Sequence, residues 1–314
     1  MTLNVIVNNM VAVDSEVTMH GARTSDDFKK SELLSRESYH GVLVGNGSGF
    51  NLLEAISLIR KSSEADLDSV MKSLEQYQKD KHERNYQQHL SNIEAEIKTK
   101  YRLVSDAAKR EELISKEFAN AVEAVNREIV QSQQRGVGAL HIVMYDKQSM
   151  ALKKFILPDA RGATLVNCEL LPVFTDGSGG DLAGAYLATN TSGINWEKIK
   201  PQHTFYLISL ACAAATANQG VGGFMQIAHV EKDKVGYIDE DKANSAVRVC
   251  SKQIAGDLSK RETIRITSGI YNGTADYLGI AKKLDLTIND LLYSPCRLHQ
   301  DVSKFNRMYE RNHK

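Results

Sequence analysis

Between residues 61 and 135 the chain contains neither Pro nor Gly, the two residues that most often break or end a helix. This stretch is rich in Lys, Glu, Gln, Ser and Ala and reads as helix throughout, with breaks near Ser62-Ser63 and Ser105. On both sides of it the apolar residues fall into a period of two, the signature of strands. A helical block flanked by strands predicts antiparallel sheets covered by helices, an α+β architecture, rather than a doubly wound parallel sheet. Tyr77 and Leu90 sit among charges, so part of the block is expected to stand away from the main core, its charges forming a solvated helix face.

The strand segments have clear punctuation. In residues 2–18, Val5 and Val7 alternate with Asn4 and Ile6, Asn8-Asn9 supply a turn, and Val11 and Val13 resume the alternation. Asn tolerates the positive φ that tight hairpins need, so this is a β-hairpin. Val42 to Val44 form a short strand that enters the bend of Gly45, Gly47 and Gly49, followed by a helix carrying Leu52, Leu53, Ile56 and Ile59. Ala139–Tyr145 and Ala151–Leu157 read as a second hairpin, and 164–175 as one further strand running into Asp176-Gly177-Ser178-Gly179-Gly180. Helices follow at 181–189 and 202–219, the second rich in Ala. Strands at 224–230 and 235–238 come next. The tail is less legible. Residues 277–292 read as two short helices with a turn near Leu284 and a cap at Thr287. A helix-turn-helix has that outline, but the net charge gives DNA binding no support, and packing or oligomer contact is the expectation.

Composition excludes several classes. Lys+Arg and Asp+Glu are both 39, so the chain lacks the basic excess of a dedicated nucleic-acid or anionic-membrane binder. The four cysteines, Cys168, Cys212, Cys250 and Cys296, lack metal-ligand spacing and are expected to be reduced, buried thiols. The nine His form no His-Glu-x-x-His cluster, and neither a metal nor an organic cofactor is expected. The N-terminal residues lack the basic and apolar regions of a signal peptide. The apolar run Leu207–Ala217 is shorter than the roughly 20 residues that span a bilayer. A cytoplasmic protein is the resulting expectation.

The chemistry points to Thr2. Removal of Met1 is favoured by the small residue after it, and a free N-terminal Thr combines a hydroxyl nucleophile with an α-amine of pKa about 8. That amine takes the hydroxyl proton without a separate His. Hairpin pairing returns Asp14 to the neighbourhood of Thr2. Lys30 follows in Asp26-Asp27-Phe28-Lys29-Lys30. A Lys beside the hydroxyl favours its deprotonated form, and Asp14 would orient that Lys. The strand into Gly45-Asn46-Gly47 offers a backbone N–H to an oxyanion.

These pieces resemble the proteasome β-subunit family of N-terminal nucleophile hydrolases, which includes the bacterial ATP-dependent peptidase of the same fold. The matching segments are Thr2, Val-Ala-Val-Asp-Ser (11–15), Lys29-Lys30, Gly-Asn-Gly-Ser-Gly-Phe-Asn (45–51), Gly-Ser-Gly-Gly (177–180) and Val-Gly-Gly-Phe-Met-Gln-Ile-Ala-His-Val (221–230). The resemblance implies a four-layer α-β-β-α sandwich, with residues 2–60 and 137–240 as its core, 61–136 as a helical insertion and 241–314 as an extension. It implies Thr2 as nucleophile, Asp14 and Lys30 as charge partners (Lys29 being the alternative in register), the Gly47 N–H for the oxyanion and Ser178 beside the amine. The substrate would be a peptide or protein and the assembly a ring of copies; whether an ATP-dependent unfoldase feeds it stays open.

Three positions depart from the family pattern. Asn218 stands where Asp is expected, Val221 where Ser is expected, and Glu16 where Arg is frequent. Asn keeps a hydrogen bond but no charge, and Val has no hydroxyl. Two alternatives on the same fold therefore stand beside the hydrolase: a non-catalytic structural subunit, and a transpeptidase or ligase in which an amine resolves the acyl-enzyme. A nucleotide site at 45–49 is the remaining alternative. It is disfavoured because no Gly-Lys-Ser/Thr follows and a long helical block replaces the next strand of a dinucleotide fold.

Overall fold

The structure, a computed structural model, describes residues 3–14, 17–19, 22–25, 30–45, 49–62, 66–134, 139–218, 221 and 223–294. It is an α+β protein with two five-stranded antiparallel sheets and a small ribbon. The opening hairpin pairs β1 (Leu3–Val7) with β2 (Met10–Asp14), Val7 opposite Met10. Its two-residue turn works because Asn8 takes φ 55°, a value that Asn accepts more readily than most residues. A ribbon of β3 (Val17–Met19) and β4 (Ala22–Ser25) follows. Then come β5 (Ser31–Ser35) and β6 (Tyr39–Gly45), the first of which the alternation in the sequence does not reveal.

The helical block divides where its serines predict. α1 spans Gly49–Lys61, α2 Leu67–Tyr101 and α3 Ala107–Gln134. Asp66 caps α2 by accepting from the Ser69 N–H at 2.8 Å. After α3 run β7 (Ala139–Asp146) and β8 (Ala151–Pro158). The single strand expected over 164–175 is instead two strands, β9 (Val166–Asn167) and β10 (Val173–Gly177), and they belong to different sheets. Between them the Leu171 N–H bonds the Cys168 carbonyl in a turn, and Pro172 has no N–H to continue a ladder.

Next are α4 (Gly180–Thr191) and α5 (Pro201–Ala215), then β11 (Met225–Val230) and β12 (Val235–Tyr237). α5 ends four residues before the end of the helix expected over 202–219, because Ala217 and Asn218 tighten into turns on Ala214 and Ala215. The tail supplies α6 (Glu240–Ile254), α7 (Lys260–Tyr271), α8 (Tyr277–Lys283) and α9 (Ile288–Leu292). Thr287 and Asp290 form the capping box that starts α9.

The first sheet has the order β10-β1-β2-β11-β12 and the second β5-β6-β7-β8-β9. Alternation along each strand sends residues to two faces. Leu3, Val5 and Val7 face a core with α4 and α5, onto which α6, α7 and α9 also pack. Leu43, Leu140, Ile142 and Met144 face α1 and the start of α2, against Leu52, Ala55, Ile56, Ile59, Leu67 and Met71. Leu53, expected on this face, points to solvent. The opposite faces of the two sheets meet through Ile6, Val11, Val13, Val42, Val44, Val143, Ala228 and Val230. Cys168, Cys212 and Cys250 are free and buried, as expected, and Cys296 lies outside the described residues. Among the described residues no helix is long and apolar enough to cross a membrane.

Gly41, inside β6, shows how tightly the second sheet is built. A Cβ placed there would lie 2.1 Å from the Val143 carbonyl oxygen and 2.6 Å from the Met144 Cα, backbone atoms that have no room to retreat. Gly41→Ala is therefore expected to lower unfolding stability by about 3 kcal/mol. Gly236→Ala, whose Cβ would meet nothing within 4 Å, should change it by less than about 0.5 kcal/mol. Urea denaturation of the two variants checks the contrast.

Candidate active site

Asp14 closes β2 and is fully buried. Its Oδ1 accepts two hydrogen bonds, one from the Leu3 N–H at 2.8 Å and one from the Lys30 Nζ at 2.9 Å. The first fixes the start of β1. The second brings in Lys30, itself 6% exposed, from the residue just before β5. The Lys30 carbonyl accepts in turn from the Gly45 N–H at 3.1 Å, so the end of β6 is held at the same place. Two expected site residues, Asp14 and Lys30, are thus joined directly. Thr2, Gly47 and the alternative Lys29 lie outside the described residues.

The strand on the other side of β1 carries Ser178. In the pairing of β1 with β10, Leu3 lies opposite Gly177. Ser178 follows at once in the turn to α4. Gly177 takes φ 85°, a left-handed conformation that suits Gly. Gly179 is needed for closeness: a Cβ there would be 2.8 Å from the Ala215 Cβ and 3.0 Å from the Val221 Cγ2. This contact brings the end of α5 against the Ser178 turn, and the Asn218 Nδ2 donates to the Ser178 carbonyl in a short hydrogen bond. Asn218 therefore supports the turn through its backbone. Val221 is fully buried against Gly179, which accounts for an apolar side chain at that position.

Sequence reasoning missed a second polar group at this end of the sheets. His141, on β7, donates from Nε2 to the Asp176 Oδ2 at 2.9 Å, across from one sheet to the other. Asp176 Oδ1 also accepts from the Gly177 N–H. The available signal was a lone His in an otherwise apolar strand, next in register to Val44. At the neighbouring edge, the Ser31 Oγ bonds Gln226 at 3.1 Å and the Tyr237 hydroxyl at 2.9 Å, again joining the sheets. Among the described residues no group of three His, Cys, Asp or Glu side chains is placed to hold a metal ion.

Chemically, the arrangement keeps a cation beside the start of β1 in a place without bulk water. A lysine there stabilises negative charge that develops on a neighbouring oxygen, and Asp14 keeps that lysine oriented. Away from this cluster, Lys154 of β8 is a second buried cation. Its Nζ donates to the Leu171 carbonyl at 2.8 Å. Burial lowers its pKa to about 8, while the nearby Cys168 opposes the shift.

No protein-family model matches the chain, and no curated protein matches it either.

Two measurements follow from these cations. Removing one member of the Asp14–Lys30 pair takes the opposite charge away from a buried ion, so Asp14→Leu or Lys30→Met should each cost about 3–5 kcal/mol. The double variant should cost clearly less than their sum, and a double-mutant cycle in urea tests it. For Lys154 the folded pKa of about 8 lies below the unfolded value of about 10.4. Between those values the unfolded chain holds a proton that the folded chain has lost, so this group's contribution to stability rises with pH across that window and is flat below it. The stability difference between wild type and Lys154→Met should follow that rise.

Proposed function

We propose that this chain is a proteasome-like N-terminal threonine hydrolase that cleaves peptide or amide bonds through an acyl-enzyme on Thr2. The observation that carries the reading is the Asp14 carboxylate shared between the Leu3 N–H and the Lys30 ammonium. It puts a buried cation next to the residue that follows Thr2. The layers support it as well: helices on the outer face of each sheet and an apolar seam between the inner faces are compatible with a four-layer α-β-β-α sandwich of the N-terminal nucleophile kind.

In this mechanism the α-amine of Thr2 takes the proton of its own hydroxyl, and the oxygen attacks the substrate carbonyl carbon. Lys30 lowers the cost of charge on the Thr2 oxygen, and Asp14 holds Lys30 in place. The oxyanion of the tetrahedral intermediate accepts a hydrogen bond from the Gly47 N–H. As the intermediate collapses, the C–N bond breaks and the protonated amine returns its proton to the leaving nitrogen. Water then gives a proton to the α-amine as its oxygen adds to the acyl carbon; the ester C–O bond breaks, the amine passes that proton to the Thr2 oxygen, and the acid product leaves. Ser178 would help hold the amine and a water, and Asn218 supports it through the bond to the Ser178 carbonyl. The enzyme would work in the cytoplasm as a closed oligomer, with 61–136 and 241–314 serving assembly or a partner.

A second reading keeps the fold without the chemistry. Val221 contributes packing against Gly179 and no hydroxyl, and the Asn218 amide is engaged by a backbone carbonyl. Both features suit a structural subunit of a proteasome-like assembly. A third keeps the acyl-enzyme but passes it to an amine.

Intact-protein mass spectrometry before and after a threonine-directed epoxyketone or β-lactone separates these readings. The hydrolase and ligase readings expect loss of Met1 and one adduct that is absent in Thr2→Ala; product analysis with an amine acceptor then distinguishes the two. A retained Met1 with no adduct would overturn both and leave the structural subunit.

A further inference from the structure

The middle of the seam between the sheets is apolar, and polar side chains bridge it towards its margins. Along β1, Leu3, Val5 and Val7 face the α5 side, and Ile6 faces the seam, so Asn4 shares the face of Ile6. Along β7, Leu140, Ile142 and Met144 face α1 and α2, and Val143 faces the seam, so His141 faces it too. Along β10, Phe174 packs on the seam, and Asp176 lies on the same face. Asn4 stands directly opposite Asp176 in the β1–β10 pairing, and His141 Nε2 is 2.9 Å from the Asp176 Oδ2. Facing residues of an antiparallel pair have Cβ atoms about 5 Å apart. Asn4 and His141 therefore converge on one carboxylate.

Asn4 is 0% exposed and His141 1%. Asn4 Nδ2, Asn4 Oδ1 and His141 Nδ1 have no hydrogen-bond partner among the described protein groups. With its Nε2 proton directed to Asp176, His141 presents Nδ1 as an acceptor. The three atoms thus offer two N–H donors, both on Asn4 Nδ2, and two acceptor atoms. A water molecule donates two hydrogen bonds and accepts up to two, and buried waters typically make about three in all. Valines such as Val13 and Val44 border the place, being paired in register with Asn4 and His141, and offer no polar alternative. Asp176 is 33% exposed, which gives the place a polar outlet to solvent.

We propose that Asn4, His141 and Asp176 form a binding site between the two sheets whose ligand is ordered water. The site closes a hydrogen-bonded circuit through β1, β7 and β10 and so fixes the start of β1 against both neighbours. It does not depend on the hydrolase reading, since it concerns occupancy and stability rather than turnover.

Two experiments decide it. In a high-resolution crystal structure of the wild-type protein, ordered water should lie within about 3.2 Å of His141 Nδ1 and of the Asn4 amide. Direct contact between the two side chains, or a dry gap, would overturn the proposal. Asn4→Leu replaces the amide with an apolar group of similar volume. If water satisfies Asn4, this change strands His141 Nδ1 and lowers Tm by about 3 °C or more. If Asn4 were an orphaned amide, the same change would raise Tm, and the proposal fails. Should Asn4→Leu not fold, the wild-type crystal structure alone gives the answer.

Discussion

The bond between Asp14 and Lys30 joins the two sheets where their strands end. Asp14 belongs to β2 in the first sheet, and Lys30 leads into β5 in the second. Both side chains are nearly free of solvent. A charge moved out of water carries a desolvation cost of several kcal/mol, which is recovered only by a partner with good geometry. This pair meets that condition because Asp14 also accepts the Leu3 N–H, and the Lys30 carbonyl also accepts the Gly45 N–H. Four chain segments are fixed by one carboxylate and one lysine. The seam behind them is built mainly of valine, and such apolar contacts are not directional. Directional bonds at the edges supply what such a seam lacks: Ser31 to Gln226 and Tyr237, His40 to the Glu231 carbonyl, and His141 to Asp176.

Close approach does comparable work on the far side of the first sheet. From Thr204 to Ala215 every residue of α5 is buried, and its last five residues are four Ala and Cys212. Such a helix can lie between β1 and β2 on one side and α6 and α7 on the other. Its end reaches Gly179, where the absence of a side chain lets Ala215 and Val221 approach the Ser178 turn. The position of Ser178 is therefore set by packing of small residues, and Asn218 adds one bond to its carbonyl. The same packing explains why residues 240–294 share a core with the first sheet: Val247, Cys250, Ile266 and Ile270 complete the apolar surround of α5.

Elements with strong local signals were legible from the residues alone. The β1–β2 hairpin follows from Asn8-Asn9, the divisions of the helical block from its serines, and the last helix from Thr287. Asp14 was legible because hairpin pairing returns it to the start of β1; Lys30 was expected as its partner with Lys29 as the alternative in register, and among the described residues Lys30 makes that bond. The misreadings have a common physical origin in tertiary context. Residues 164–175 look like one strand because Val166 and Val173 are both apolar, yet Pro172 and the turn at Cys168 send them to different sheets. β5, with Ser31 and Glu32, is a strand because it pairs with β6 along its whole length, not because of its own alternation. α6 hides its role because Asn244 and Ser245 are buried polar residues; the Asn244 Oδ1 bonds the Met225 N–H and starts β11. Asn4 and His141 were invisible as a pair for the same reason, since only the packing of one sheet on another brings them together.

The long helices show where the fold stops depending on the sheets. α2 has 35 residues, about 50 Å of helix. Only Leu67, Val70, Met71 and Leu74 enter the core of the second sheet, the spacing of one buried face. The connection after β8 grips the next turns: Asp159 bonds Gln78 at 3.0 Å and His82 at 2.8 Å. Arg161 lies 3.5 Å over the Tyr86 ring and bonds Glu83. A cleft of about 400 Å³ opens there between α2, α3 and residues 159–161. Past Tyr86 the support comes from α3, through Tyr86 to Asn126 and through Lys100 and Tyr101 to Glu117. These pairs run in opposite directions along the chain, so α2 and α3 form an antiparallel hairpin. Leu103 at its turn is 86% exposed. Because α2 and α1 cover the face of the second sheet that looks away from the seam, the hairpin's direction is set by β8 and its following connection.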